Sequence, residues 1–316
     1  MAHDADDRAP TVTPVDPGPF PDMPLDAWSD TKETLHRWVQ IVGKLRLAHA
    51  PHRNHWWHVA FHLTARGITT RPMGRDPVFS VDFDFVDHRL LVDTVTGRRS
   101  SFPLAGLSVA AFYTQLLDTL RSLGVDARIT GVPFDLADTV PFAEDTVHAA
   151  YDPVWATRYW RVLGEVAQLL EEFAGRSHVK TSPVHHFWHT FDIALTRFSD
   201  RRADLPAAAD PVTREAYSHE VISFGFWFGD TTVQEPAFYS YTAPEPDGLA
   251  DQPLQPATAR WTEARGSHLA LLTYADARAT PDPRATVLAF YESAYQAGAR
   301  LAGWDVEQLA SRPVRS

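Results

Sequence analysis

The chain has 316 residues, a formal net charge of −11, and 44% hydrophobic and 12% aromatic residues. That length and composition suffice to bury a sizeable core, while the acidic balance, with no lysine- or arginine-rich run, argues against a nucleic-acid groove, whose affinity depends on neutralising phosphates. There is no cysteine, which removes disulfides, thiolate nucleophiles, iron–sulfur clusters and cysteine-ligated zinc; any metal must be held by His, Asp, Glu or backbone.

No apolar run is long enough to span a bilayer, and the start Met1-Ala2-His3-Asp4 lacks the basic flank and apolar segment of a signal peptide. Cytoplasmic residence without a membrane partner is therefore expected. Residues 1–24 carry Pro10, Pro14, Pro17, Pro19, Pro21 and Pro24 among aspartates, a composition that reads as a disordered tail. From 25 to 316 the pattern reads as a single globular unit, with halves of about 25–140 and 141–308.

In chain order, the stripe of Leu35, Trp38, Val39, Ile41, Val42 and Leu45 predicts a helix over 30–47. Strands are expected over 56–66, 78–86, 90–95 and 99–104, separated by turn signals, then a helix over 108–123 with Ser108 to cap its start and Gly124 to end it. A short strand near 125–130 closes this half. Asp152-Pro153 opens a second helix ending near Gly175. Strands follow near 191–198, 217–228, 237–241 and 268–274, and Asp282-Pro283 opens a last helix reaching about Ala302. The fold class is α+β, antiparallel sheets with packed helices. Helix, four strands, helix occurs twice, and a slide of 131 residues places His55, Trp57, His58 and Arg66 on His186, Trp188, His189 and Arg197. This suits a duplicated unit, although unrelated α+β halves share such an order by chance.

Two stretches concentrate histidine and tryptophan, Asn54-His55-Trp56-Trp57-His58 and His185-His186-Phe187-Trp188-His189, followed by Arg66 and Arg197. Histidine changes charge near neutral pH or ligates metals, and tryptophan supplies an apolar wall with one donor, so together they are pocket material. Of the three lysines, Lys32 reads as an exposed helix residue, whereas Lys44 and Lys180 each precede one cluster. If Ser182-Pro183 starts a helix, His185, His189 and Asp192 share one face and can hold a divalent metal. If 191–198 is a strand, His185 and Asp192 part company, and the histidines serve a structural role.

Alternation in the strand over 217–228 puts Glu220 with Ile222, Phe224 and Phe226, and His219 on the opposite side. A glutamate on an apolar face is either a tuned acid/base or a structural ion pair with an arginine such as Arg197 or Arg214. Asp82 and Asp84 share one sheet face and could meet His58 and His62; the alternative is a solvated sheet face. There is no Gly-x-Ser-x-Gly elbow, phosphate-cradling glycine loop or dinucleotide fingerprint, so a kinase, an NAD-dependent dehydrogenase or a serine hydrolase has little support. Gly225 and Gly229, inside an aromatic strand, suggest a bulge or close backbone approach.

The ordered series Asn54-His55-Trp56-Trp57-His58-Val59, Thr64-Ala65-Arg66-Gly67, Asp82-Phe83-Asp84-Phe85, Ser182-Pro183-Val184-His185, Phe191-Asp192, Thr196-Arg197-Phe198 and Tyr217-Ser218-His219-Glu220 resembles a bacterial family catalogued as domain of unknown function 5996. The resemblance runs from about Pro24 to Trp304 and implies no activity. Lys44, Lys180, His185, Asp192, His219 and Glu220 match the family pattern, whereas His186 and His189 depart from it, which weakens both the metal pair and the duplication.

The expectation is a small-molecule enzyme whose pocket is walled by Trp56, Trp57 and Trp188. His185, His219 and Glu220 would work it as acid/base groups, or with Asp192 as ligands of one divalent metal. Lys44, Asn54, His58, Lys180, Arg66 and Arg197 would bind the substrate, with the cations orienting an anionic group. The alternative is a noncatalytic small-molecule-binding or oligomeric assembly protein whose aromatic residues serve an interface.

Overall fold

Alternating apolar residues lay down two antiparallel sheets, and helices cover one side of each. The computed structural model describes residues 18–205, 208–230, 233–264 and 266–311. The first sheet is a meander of β1 (His62–Thr64), β2 (Gly67–Thr69), β3 (Phe79–Asp84), β4 (Arg89–Thr94) and β5 (Arg99–Pro103) in sequence order. The second contains β6 (Lys180–Thr181), β7 (His185–Phe187), β8 (Asp192–Arg202), β9 (His219–Trp227), β10 (Ala237–Ala243), β11 (Arg260–Ala264) and β12 (Ser267–Thr273). Its spatial order is β11-β12-β10-β9-β8-β6, with β7 also paired to β8. The chain is thus α+β, with antiparallel pairing throughout both sheets.

The helices explain which sheet faces are dry. Helix α1 (Leu25–His49) is buried almost all round, and Trp38 stacks on Phe112 of α2 (Val109–Ser122) with centroids 4.9 Å apart. Phe112 in turn stacks on Phe83 of β3, whose alternation of buried Phe79, Val81 and Phe83 with half-buried Ser80 and Asp82 is the period-2 signature of a one-sided sheet. Helices α3 (Pro153–Ala174) and α6 (Pro283–Leu301) cover one face of the second sheet through Phe173 on Phe224 and the Tyr291 hydroxyl bonded to the Gly225 carbonyl at 3.0 Å. Ser108, Asp152 and Asp282 cap α2, α3 and α6, each cap contributing about 1 kcal/mol, and Pro153 and Pro283 sit where a missing N–H costs nothing. Short helices α4 (Pro211–Ala216), α5 (Tyr274–Arg278) and α7 (Val306–Leu309) complete the set.

Several segments differ from expectation, each for a tertiary or turn reason. Residues 56–66 are not one strand: His55 and Trp56 adopt left-handed backbone (φ 57° and 59°), which turns the chain before β1 begins at His62. Trp56, His58, His62 and Arg66 therefore do not share a strand face. No helix follows Ser182-Pro183, because Ser182 pairs with Thr196 of β8 through its own N–H (2.8 Å) and hydroxyl (2.9 Å). Residues 125–130 form no strand, and β11 has no counterpart among the expected elements.

Residues 18–24, read as tail, pack down: Phe20 and Met23 are buried, and the Phe20 and Pro21 carbonyls accept from Arg278 (2.9 Å) and Tyr274 (3.0 Å) of α5. Residues 1–17 and 312–316 lie outside the described residues. The pairs matched by the 131-residue slide sit in unlike places. Arg66 is exposed beside β1 and Arg197 is buried in β8, while His55 lies in a 3₁₀ turn and His186 in β7. Those pairs lend the duplication no support. Lys32, expected on an exposed helix face, is buried beside Glu33 at 3.5 Å.

The close approach anticipated at Gly225 is real. A Cβ there would lie 2.4 Å from the Tyr239 ring and 2.6 Å from the Ile193 carbonyl, because Tyr239 crosses β9 at this point to reach Asp192 on β8. Gly225→Ala is expected to cost about 1–3 kcal/mol by overpacking, read as a lower urea midpoint with unchanged m. An unchanged midpoint would show that the crossing ring yields freely.

Candidate ligand-binding site

The two sheets meet at one antiparallel bridge, Phe61 with His186, closed by N–H···O bonds of 2.9 and 3.1 Å. Residues one step away, His62 and His185, therefore lie opposite each other on the same side of the seam, their rings 5.4 Å apart. Adjacent His185 and His186 point to opposite faces, which separates their roles. His186 is a structural residue: its Nδ1–H donates to the Asp192 carbonyl (2.8 Å), its Nε2 accepts from the Tyr159 hydroxyl, and burial pushes its pKa down to about 4.

His185 is different. It is 1% exposed, yet among the described residues neither ring nitrogen has a hydrogen-bond partner. Trp57, His62 and Phe187 surround it at ring distances of 6.2, 5.4 and 5.7 Å. A buried polar group left unpaired by the protein costs about 1–3 kcal/mol, which sets His185 apart from the hydrogen-bonded His186. Burial pushes the pKa of His185 and of His62 down to about 3, and the charges of Arg71, Arg53 and Arg46 push both in the same direction. Both imidazoles are neutral at pH 7.

The three arginines reach the seam from different segments. Arg46 of α1 donates from Nε to the Ala60 carbonyl at 2.8 Å, and Arg71 lies just beyond β2, whose Thr69 is the register partner of His62. The Arg53 N–H donates to His58 Nδ1 at 3.3 Å. Among the described residues no carboxylate lies within ion-pair distance of any of the three guanidiniums. The three arginines thus leave a local excess of positive charge in a protein of net charge −11.

A row of rings continues from Trp57. Lys180 donates to His55 Nε2 at 2.7 Å and lies over Trp57 and Phe198 at 5.7 and 5.1 Å, while His55 Nδ1–H donates to the Glu215 carbonyl at 3.2 Å. His219 packs against His55 at 5.8 Å and bonds the Ser218 hydroxyl. His185, Trp57, Lys180 and His219 are thus linked by a continuous series of ring and cation contacts.

Other expected site residues lie elsewhere. Glu220 projects to the opposite face from His219, where it accepts from Ser199 (3.0 Å), Arg201 (2.7 Å) and Trp304 (2.9 Å). The ion-pair alternative therefore describes it, with Arg201 rather than Arg197 or Arg214 as partner, and His185, His219 and Glu220 do not converge. Although 192–202 is a strand, Asp192 does not part from His185 as expected: the two lie on separate paired strands, β8 and β7, whose register puts them on the same face, but the Asp192 carboxylate accepts from Tyr239 and Thr190. His185 and His219 are kept apart by the length of β9, and among the described residues no group of three or more His, Asp or Glu could hold a metal ion. The set His185, Asp192, His219 and Glu220 is accordingly not one coordination site.

Arg66 is exposed and bonded to Asp84 (2.7 Å) and Asp87 (2.6 Å), and Arg197 is buried among Phe173, Phe224 and Tyr295, so neither faces the seam. Lys44 lies 5.7 Å from the ring of Trp188, which packs on Gly43 of α1; burial lowers the Lys44 pKa. Trp188 therefore walls that helix and not the seam. Trp56 packs on His58 at 5.1 Å, and the exposed Asn54 accepts the Trp57 N–H, so these three support the turn that presents Trp57. His62, Thr69 and Asp82 form one cross-strand row, with Thr69 between the histidine and the aspartate, so the expected His–Asp meeting is interrupted. Arg46, Arg53 and Arg71 escaped sequence reasoning. Arg46 and Arg53 both precede the first cluster, but nothing in spacing brings Arg71, which follows β2, to them.

Comparison with known proteins adds a family and no activity. A family model described as "Family of unknown function (DUF5996)" matches residues 20–311. No curated protein and no solved structure matches the chain.

Proposed function

The chain belongs to the DUF5996 family, and we propose that it is a small-molecule enzyme whose substrate binds at the seam between its two sheets, with His185 as the acid/base group. The single observation that carries this reading is the buried His185 imidazole with both nitrogens unpaired, facing Trp57 and His62. An imidazole neutral at pH 7 can accept a proton or donate through its remaining N–H, and a half-buried tryptophan beside it excludes water from that exchange. Trp57, Lys180 and His219 extend the surface on which the rest of the substrate would lie. No helix among the described residues is long and apolar enough to cross a membrane.

Substituting His185→Phe tests this. Removing two unpaired nitrogens while keeping a ring is expected to leave stability unchanged or raise it by about 1 kcal/mol. Compounds from a panel of neutral, carboxylate and phosphorylated small molecules that raise the melting temperature of the wild type should then fail to raise that of the variant. A variant that is destabilised, or that binds the same compounds equally well, would return His185 to the role of a core residue.

A further inference from the structure

We propose that Arg46, Arg53 and Arg71 receive a dianionic oxyanion, the phosphate group of a small phosphorylated molecule, beside His62 and His185. The inference rests on the seam being the substrate site and names what binds there. Its support is geometric. Ala60 anchors Arg46 at 2.8 Å, and Arg71 follows two residues after Thr69, the register partner of His62. Arg53 is tethered through its N–H to His58, whose ring lies 4.8 Å from that of His52. Guanidiniums present planar forks of N–H donors that match phosphate oxygens, and those of Arg53 and Arg71 are on exposed residues.

The charge count favours a dianion over a simple carboxylate. The charges of all three arginines act on both His62 and His185, and the acidic groups that face the seam are already engaged or set back. The carboxylate of Glu215 from α4 is bonded to exposed His52 at 2.9 Å, and Asp82 of β3 stands behind Thr69 and is bonded to Ser80. A phosphate monoester brings a charge of about −1.5 to −2 near neutral pH, which a cluster of this size can offset. A polyanion is disfavoured, since the rest of the molecule is acidic and would repel its length. The neighbouring rings of Trp57 and Phe187 offer the ester's organic part an apolar wall.

The site also couples binding to chemistry. The charge of the guanidiniums adds to burial in holding His62 and His185 neutral. A bound phosphate offsets that charge, so His185 becomes a better base once substrate is in place. The groups that set this balance are Arg46 from α1, Arg53, His52 and His58 from the following turn, Arg71 after β2, Asp82 from β3 and Glu215 from α4.

Inorganic phosphate is the probe, used on the full chain at pH 7.5, where the dianion predominates, with acetate and chloride at matched ionic strength. Phosphate at millimolar concentration is expected to raise the melting temperature where acetate and chloride do not. The ring-nitrogen resonances of His62 and His185 should move toward the protonated form. Arg53→Gln with Arg71→Gln, both at exposed positions, should weaken phosphate binding at least tenfold while leaving the fold intact. Equal effects of phosphate and chloride, or an unimpaired double variant, would overturn the assignment. If phosphate fails while other panel compounds still depend on His185, the anion falls and the seam site stands; if His185→Phe binds every compound as well as the wild type, both fall.

Discussion

Lowering the pH from 7.5 to 5 is expected to remove most of the stability of this protein. His36, His62, His185 and His186 are all buried, and their pKa values are pushed down to about 3, 3, 3 and 4, with burial as the largest cause in each. In the unfolded chain each titrates near its ordinary value of about 6.5. Between those limits the unfolded state binds protons that the native state refuses, so stability rises with pH across the window. The full contribution is present above about pH 6.5 and is lost progressively as pH falls toward 3–4, where the native histidines accept protons.

At about 1.4 kcal/mol per pH unit, each group forfeits about 2 kcal/mol by pH 5, and the four together about 8. That is of the order of the whole stability of a typical domain, about 5–15 kcal/mol. Urea unfolding at pH 7.5, 6 and 5 should show a midpoint that collapses over this range. His62→Phe with His185→Phe should cut the slope by about half, since it removes two of the four groups. A midpoint that is flat from pH 7.5 to 5 would mean that the buried rings are not held neutral.

The elements that could be read in the sequence are those whose causes are local. Ser108, Asp152 and Asp282 cap helices because side-chain oxygen and orphan N–H lie within three residues of each other, and β3 follows from alternation. The failures share a different cause. Residues 18–24 look like solvent-exposed tail until α5, more than 250 residues away, supplies Tyr274 and Arg278 to their carbonyls. Two successive left-handed residues, His55 and Trp56, cannot be foreseen from residue types that rarely adopt that backbone.

The site divides in the same way. Composition pointed to His185, and alternation correctly separated His219 from Glu220. Glu220 nevertheless satisfies its charge, because β9 begins there beside the Phe198–Arg202 irregularity of β8, and Arg201 and Trp304 reach it. The cationic half of the seam depends on the pairing of β1 with β2 and on the bridge to β7, neither of which has a local signature. A seam of this kind is assembled by tertiary register, so only its aromatic and imidazole half shows in the residue order.

Arg197→Ala is expected to cost about 3–4 kcal/mol, a loss in the range of large buried side chains cut to alanine. The residue was expected to orient a substrate anion; in the fold its guanidinium lies 3.9 Å from the Phe173 ring and 4.3 Å from that of Tyr295, and donates to the Phe173 carbonyl at 2.6 Å. Phe173 is in the last turn of α3, where a cation also complements the helix dipole. Burial is severe enough to push even this guanidinium down to about 10. Truncation leaves a cavity between α3, β8 and α6 and deletes a donor to the helix end. Arg197→Met should behave differently, costing less than about 1.5 kcal/mol: the thioether fills the volume against the same rings, and the cost of desolvating the charge disappears with it. Chemical denaturation of the two variants separates the roles. A large gap between alanine and methionine marks a packing residue, whereas a ligand-orienting arginine would give two stably folded proteins that both lose binding at the seam.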